Sequence, residues 1–116
     1  MRPLTHDTLR GNWATLLLAT DRRGEIDFSR QSDEIDVLIA SKPDGIYSNG
    51  TAGEFYSQNR DEFLRISRLL AEKCEAAGTA FQIGVSHPCA QESLARLQLV
   101  RGLKPGAIQV ILPDWF

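Results

Sequence analysis

The chain has 116 residues, of which 42% are hydrophobic and 24% charged, and a formal net charge of −2. This is the make-up of an ordinary globular protein, and the length fits one domain over residues 1–116. The weakly acidic balance, with no basic cluster beyond Arg22 and Arg23, argues against nucleic acid as a partner. The longest apolar run, residues 14–19 with Thr15 inside it, is too short to cross a bilayer, and the opening MRPLTHDTLRG lacks the apolar centre of a secretory leader; a cytoplasmic protein with no membrane partner is expected.

The first predicted element is a strand at NWATLLLAT, residues 12–20, whose unbroken apolar run suits a strand covered on both faces. Asp27 then caps the helix FSRQSDEIDVLIAS, with Phe28, Ile35, Leu38 and Ile39 near one side. Pro43, Asp44 and Gly45 mark the return to a second strand, GIYSN. The stretch YSNGTAGEFYS reads as the end of that strand, a tight glycine-rich loop and the start of a polar helix. Asn59 caps RDEFLRISRLLAEKCEAAG, whose apolar stripe is Phe63, Ile66, Leu69, Leu70 and Cys74, with Asp61 and Glu62 in its first turn and Gly78 at its end. AFQIGVS is a third strand. Pro88 opens a third helix that runs to about Leu103, where Pro105 and Gly106 stop it. AIQVILP is a fourth strand, and Asp114, Trp115 and Phe116 follow it. Cys74 and Cys89 lack paired-ligand spacing and are expected to be free thiols, buried or half-buried.

The order β-α-β-α-β-α-β specifies an α/β fold with a parallel sheet and right-handed crossovers. A small doubly wound sheet, complete in itself, and the first half of a (β/α)₈ TIM barrel both fit this order. A complete open sheet would finish with a helix over its last strand, whereas this sequence finishes on an apolar strand and two aromatics. The expectation is therefore the first half of a barrel, with an unpaired hydrophobic edge that favours association with itself or a partner.

Residues 49–54 lie between the C-terminal end of a strand and a helix. Backbone N–H groups at such a place can converge on a small carboxylate or phosphate; equally, the glycines can serve a plain turn that needs positive φ. The loop lacks the GxxxxGK[ST] of a Walker loop, and its Gly50 and Gly53 alone do not make a dinucleotide fingerprint. His87, after the third strand, could line a pocket or be an ordinary loop histidine. With His6 and Cys89 the only further donors of their kind nearby in sequence terms, no metal site is expected. Arg22, Arg23 and Glu25 read as a solvated turn, and Trp13 as core packing.

These segments together resemble the dihydrodipicolinate synthase/N-acetylneuraminate lyase family. GIYSNGTAGEFYS is similar to its signature loop, G-[ST]-T-G-E followed by an aromatic-rich stretch. GNWATLLLATDRRGEIDF is similar to its opening strand and D-x-x-G-x-[IV]-D-F turn, FQIGVS to its third strand, and AIQVILPDWF to a fourth strand that ends in T-P-Y-Y or a variant. The resemblance covers nearly the whole chain, in order and at matching spacing.

The resemblance implies a TIM barrel that runs class I aldolase chemistry on pyruvate or a related 2-oxo acid, as a homo-oligomer and without a cofactor. A barrel lysine forms a Schiff base with the ketone, and the iminium then serves as an electron sink. By motif position Gly50, Thr51 and Ala52 would bind the carboxylate; Thr51 would also sit in a tyrosine-containing proton relay, and Gly53 and Glu54 match the motif's glycine and glutamate. Tyr47 is similar to an aromatic of the lyase branch. Ala52 stands where a second threonine is usual, which removes one hydroxyl but keeps its N–H. Asp114 and Trp115 stand where two tyrosines are common; an indole cannot relay protons, so Trp115 would shape the pocket or an interface. LLLAT replaces the usual ALVTP of the first strand. These departures point away from an ordinary synthase and towards a divergent aldolase, lyase or dehydratase. The family's catalytic lysine is expected beyond residue 116, because Lys42, Lys73 and Lys104 all read as solvated surface charges. The short chain is thus expected to be inactive alone. Two other readings stand beside this one: a non-catalytic anion-binding or assembly module, and a complete flavodoxin-like domain whose Thr51 loop binds phosphate.

Overall fold

In the computed structural model, which describes residues 1–112, four short strands form one parallel sheet. They are β1 (Trp13–Thr15), β2 (Gly45–Ser48), β3 (Phe81–Gly84) and β4 (Ala107–Gln109). Between them run α1 (Phe28–Ala40), α2 (Arg60–Ala77) and α3 (Ala90–Val100), the last continuing into a 3₁₀ turn at Arg101–Leu103. Residues 113–116, and with them the expectation for Trp115, lie outside the described part.

The strands lie in the order β1-β2-β3-β4, each pair parallel. Every crossover therefore steps the same way across the sheet, which puts the three helices on one face, α1 against α2 and α2 against α3. A doubly wound sheet needs a reversal of strand order. Among the described residues there is none, so the flavodoxin-like alternative fails and the barrel-type progression stands.

Two helices start and stop as their sequences dictate. Asp27 accepts hydrogen bonds from the N–H groups of Ser29 and Arg30 at the start of α1. Asn59 and Glu62 form a reciprocal capping box on α2, and Gly78, at φ 69°, ends it in the left-handed conformation that glycine adopts without strain. The stripe expected on α2 is its buried face: Phe63, Ile66, Leu70 and Cys74 meet Ile46, Phe81 and Ile83 of the sheet in the main core. Burial pushes the Cys74 thiol up to about 12, which makes it inert in the folded chain.

Several expectations need correction, among them the fourth strand, which ends at Gln109 and not at residue 113. The first strand was expected over residues 12–20 but ends at Thr15. Leu16 N–H still donates to the Tyr47 carbonyl, but from Leu17 on the backbone is taken by side chains of α1 and by an antiparallel bridge between Thr20 and Ile26, so the apolar run leaves the sheet. The third helix begins at Ala90, not at Pro88, with Cys89 as its N-cap residue. Cys89 is consequently exposed rather than half-buried. Lys73 is half-buried, because its ammonium is held 2.6 Å from the Asp36 carboxylate of α1.

In a parallel pair, matched residues share a face. Ala14, Ile46, Phe81 and Ile83 face the helices; Thr15, Tyr47, Gln82 and Gln109 share the opposite, inner face. The inner face is polar, and among the described residues no helix lies over it. At its lower end the Trp13 ring covers Gly45, where any Cβ would collide with the indole, and Trp13 Nε1 donates to the Arg10 carbonyl at 3.1 Å. Trp13 thus packs against the lower end of the inner face, half-buried, and not in the main core as expected. The far edge is apolar and open: Leu94, Ile108, Val110 and Leu112 are exposed, and clefts of about 630 and 410 Å³ flank α3 and β4.

Candidate functional site

The loop after β2 begins with a buried left-handed residue. Asn49, at φ 56°, donates through Nδ2 to Ser48 Oγ at 3.3 Å and to Ser67 Oγ of α2 at 3.2 Å. The chain then rises over the C-terminal ends of the strands. Its height is set by two close backbone approaches: a Cβ on Gly53 would lie 2.9 Å from the Leu16 carbonyl oxygen, and a Cβ on Gly84 of β3 would collide with the Asn49 carbonyl. Gly50 has the Tyr47 ring beside it, 2.8 Å from where a Cβ would stand, with Gln109 Oε1 at 3.4 Å. The loop and the polar inner face therefore meet at Tyr47.

The expected helix start inside residues 47–57 is instead a series of turns. Glu54 N–H donates to Thr51 O at 3.0 Å and Ser57 N–H to Glu54 O at 3.0 Å, with Glu54 at φ 51°; α2 begins only at Arg60. The reason is local. Asn59 wins the cap position because Glu62 completes its box, and the turn before it is left outside the helix. Thr51 and Ala52 stand at the exposed apex, and among the described residues their N–H groups meet no protein acceptor. Of the residues expected in a site, Tyr47, Gly50, Thr51 and Ala52 are thus brought together.

Two features escaped the sequence reading. Arg96 of α3 is 2% exposed, and its guanidinium donates to three carbonyls: Nη1 to Phe55 O at 3.1 Å and Ser86 O at 3.5 Å, Nη2 to Gln58 O at 3.0 Å. Its plane also lies over the Phe63 ring, 4.9 Å from the centroid. Burial lowers its pKa, opposed by Glu92, whose carboxylate is 3.7 Å from Arg96 Nε and forms a second ion pair with Arg60 at the start of α2. Glu92 is in turn held below the usual carboxylate range by that Arg60 contact. The available signal was spacing: Glu92, Arg96 and Val100 repeat every four residues, which puts Arg96 in line with the buried Val100. The second feature is Gln31 of α1, fully buried, which accepts from Ala19 N–H at 2.9 Å and donates to Leu17 O at 2.7 Å. Glu34 accepts from Leu17 N–H at 3.0 Å beside it, and partial burial raises its pKa.

The remaining candidates lie elsewhere. His87 lines the cleft of about 410 Å³ beside α3 and β4, away from the loop after β2, and accepts a hydrogen bond from Cys89 N–H at 3.0 Å. Arg23 and Glu25 pair across the exposed turn after β1, as expected. Lys42 and Lys104 are exposed in turns that precede β2 and β4, at the end of the sheet opposite the loop, and Lys73 is on the outer helix α2. No lysine among the described residues reaches the inner face at Tyr47. Nor do three or more His, Cys, Asp or Glu among them group so as to hold a metal ion.

Residues 8–86 match the model of the Dihydrodipicolinate synthetase family. The chain is 33% identical over 107 residues to a 4-hydroxy-tetrahydrodipicolinate synthase from Thermomicrobium roseum, which covers 90% of this chain and 34% of that protein. Its fold is similar to that of CdNal from Clostridium difficile, solved in complex with mannosamine, at 23% identity and a TM-score of 0.85 over 93% of this chain and 37% of the other. A prophage protein of the dihydrodipicolinic acid synthase family from E. coli, solved in complex with pyruvate, gives a TM-score of 0.83 at 23% identity over 93% of this chain and 36% of the other. The chain thus spans about a third of the length of these relatives. With the family model covering well over half of its residues and the strand progression agreeing, the chain belongs to the dihydrodipicolinate synthetase family and carries the first part of its barrel.

Proposed function

We propose that these residues are the N-terminal part of a Schiff-base-forming aldolase or lyase that acts on pyruvate or a related 2-oxo acid. The observation that carries this reading is the loop apex: the unpartnered N–H groups of Thr51 and Ala52 stand above the C-terminal ends of the strands, next to Tyr47 on the polar inner face. Such donors suit a carboxylate, and the E. coli relative solved with pyruvate belongs to the same family. In this reading Gly50 keeps room for the substrate, and the Thr51 hydroxyl passes a proton to or from the reacting centre. Ala52 contributes its N–H alone. The amine that attacks the ketone comes from outside this chain, since Lys42 and Lys104 lie at the wrong end of the sheet and Lys73 is tied to Asp36. Alone, the 116-residue chain is inactive. The open edge at Leu94, Val110 and Leu112 supports its association with itself or with the remainder of a barrel, in a cytoplasmic homo-oligomer.

Borohydride reduction in the presence of pyruvate tests this directly, because it fixes the iminium wherever a lysine of lowered pKa meets the bound ketone. The full product of the reading frame that holds these residues should gain one pyruvyl group, at a lysine outside residues 1–116. The 116-residue chain should gain none. Stoichiometric labelling at Lys42, Lys73 or Lys104 would sink the proposal.

A further inference from the structure

Arg96 is the one fully buried cation among the described residues, and every hydrogen bond it makes is to a loop carbonyl at the C-terminal end of the sheet. We propose that Arg96 is a positioning residue for the anion-binding loop: it fixes the turn over residues 50–58 so that the Thr51 and Ala52 N–H groups are aligned before substrate arrives. This rests on the reading of that loop as a carboxylate site.

The linkage can be followed atom by atom. Arg96 Nη1 and Nη2 hold the carbonyls of Phe55 and Gln58, two points on the descending side of the loop. Gln58, itself 5% exposed, turns its side chain back and donates through Nε2 to the Gly53 carbonyl at 2.9 Å. Gly53 in turn rests against Leu16, and Glu54 and Phe55 close the turn onto Thr51 and Gly50. One guanidinium therefore sets the descending side, and through Gln58 the position of the apex. The contact from the same Nη1 to Ser86 O ties in the loop after β3. Lysine cannot copy this, because a guanidinium presents a planar fork of five donors and an ammonium a point charge. Glu92 and Arg60 complete the arrangement: the carboxylate lies between both arginines, so the start of α2 and the middle of α3 are held in one register. A helix arginine with only a solvation role would not be drawn into this set of carbonyls, since a buried charge persists only where partners surround it.

The test uses the full product of the reading frame and three variants, Arg96→Met, Arg96→Lys and the exposed control Arg101→Met. Backbone amide resonances are read without any substrate, and pyruvate kinetics separately. In Arg96→Met the amides of residues 50–58 should shift and broaden while those of α1 stay in place. Its KM for pyruvate should rise roughly tenfold or more, the scale of losing one charge-assisted hydrogen bond, with kcat changed far less. Arg96→Lys should recover part of both effects, and Arg101→Met should show neither. If Arg96→Met does not fold, the intermediate behaviour of Arg96→Lys decides. Loop amides that stay unchanged in the folded variants, or a stability loss with KM unaltered, would overturn the proposal. A native protein that ignores pyruvate would overturn the carboxylate reading alone, because the amide spectra still report whether Arg96 orders the loop.

Discussion

Two loops rise from neighbouring strands at the same end of the sheet; both have carbonyls held by donors, and they differ in the fate of their N–H groups. In the segment after β1, acceptors on α1 take up the backbone donors: Glu34 binds the N–H of Leu17, and Gln31 that of Ala19. In the loop after β2, donors take up the carbonyls: Arg96 binds Phe55 and Gln58, and the Gln58 amide binds Gly53. The first loop is left with no N–H to offer an anion at those positions, whereas the second keeps those of Thr51 and Ala52. A glycine-rich turn can serve as an anion cradle only when its N–H groups are left without protein acceptors, which is why loop sequence alone leaves the two readings level.

The largest effect that breaks this contrast should come from Gly84→Ala. The new methyl group meets the Asn49 carbonyl, so the second loop must lift, away from the Leu16 carbonyl against which Gly53 rests. We expect a loss of about 3 kcal/mol in urea unfolding, at the upper end for overpacking a close backbone contact. Cys74 offers a built-in reporter: its buried thiol should resist labelling until the core opens, whereas exposed Cys89 should react at once. A Gly84→Ala protein of native stability would show that the loop has room to move.

Next comes Thr51→Val, which removes a hydroxyl at the exposed apex and leaves both loops' backbone bonds intact. In the full product, turnover of a pyruvate-type substrate should fall roughly 10²-fold with the urea midpoint unchanged, the scale of general acid–base help. Equal turnover would remove Thr51 from the proton relay.

Gln31→Leu sharpens the contrast from the other side. It strips the first loop of its clamp and leaves the Ala19 N–H and the Leu17 carbonyl unpaired, at a cost of about 2 kcal/mol. A change below about 0.5 kcal/mol would mean that solvent replaces those bonds freely.

The smallest effect is electrostatic. Partial burial raises the Glu34 pKa in the folded chain, outweighing the hydrogen bond from Leu17 that lowers it. The folded state therefore holds that proton more tightly than the unfolded one. The ionised carboxylate costs stability above the raised folded pKa, and this cost fades as pH falls through that value to below the unfolded one. Glu34→Gln should then stabilise at about pH 7 by no more than about 0.5 kcal/mol after solvent screening, and do nothing at about pH 3. Urea melts at the two pH values check both the sign and the window.

What the sequence made legible is what short-range chemistry decides. Asp27, Asn59 with Glu62, and Gly78 fixed the helix limits through contacts of four residues or fewer. The stripe from Phe63 to Cys74 named the core face of α2 for the same reason. The extent of β1 was not legible, because it is cut short by Gln31 and Glu34, more than ten residues away. Arg96 was hidden for a related reason. Its three carbonyl partners lie 10 to 41 residues distant along the chain, and an arginine on a helix of mixed polarity resembles any solvated one until those loops are in place. The loop residues Gly50, Thr51 and Ala52 were singled out by motif, but the state of the Thr51 and Ala52 N–H groups needed the fold.

The two close approaches at Gly53 and Gly84 also divide the site by how freely it can vary. With a carbonyl oxygen against each Cα, the loop rides one backbone thickness above the strands, and no side chain can be inserted beneath it without displacing the donors at its apex. The inner wall carries no such restriction: Thr15, Tyr47, Gln82 and Gln109 project from strands whose backbone bonds ignore side-chain identity. Side chains on the wall can accordingly be exchanged one at a time, reshaping the space beside the loop apex without moving the apex itself.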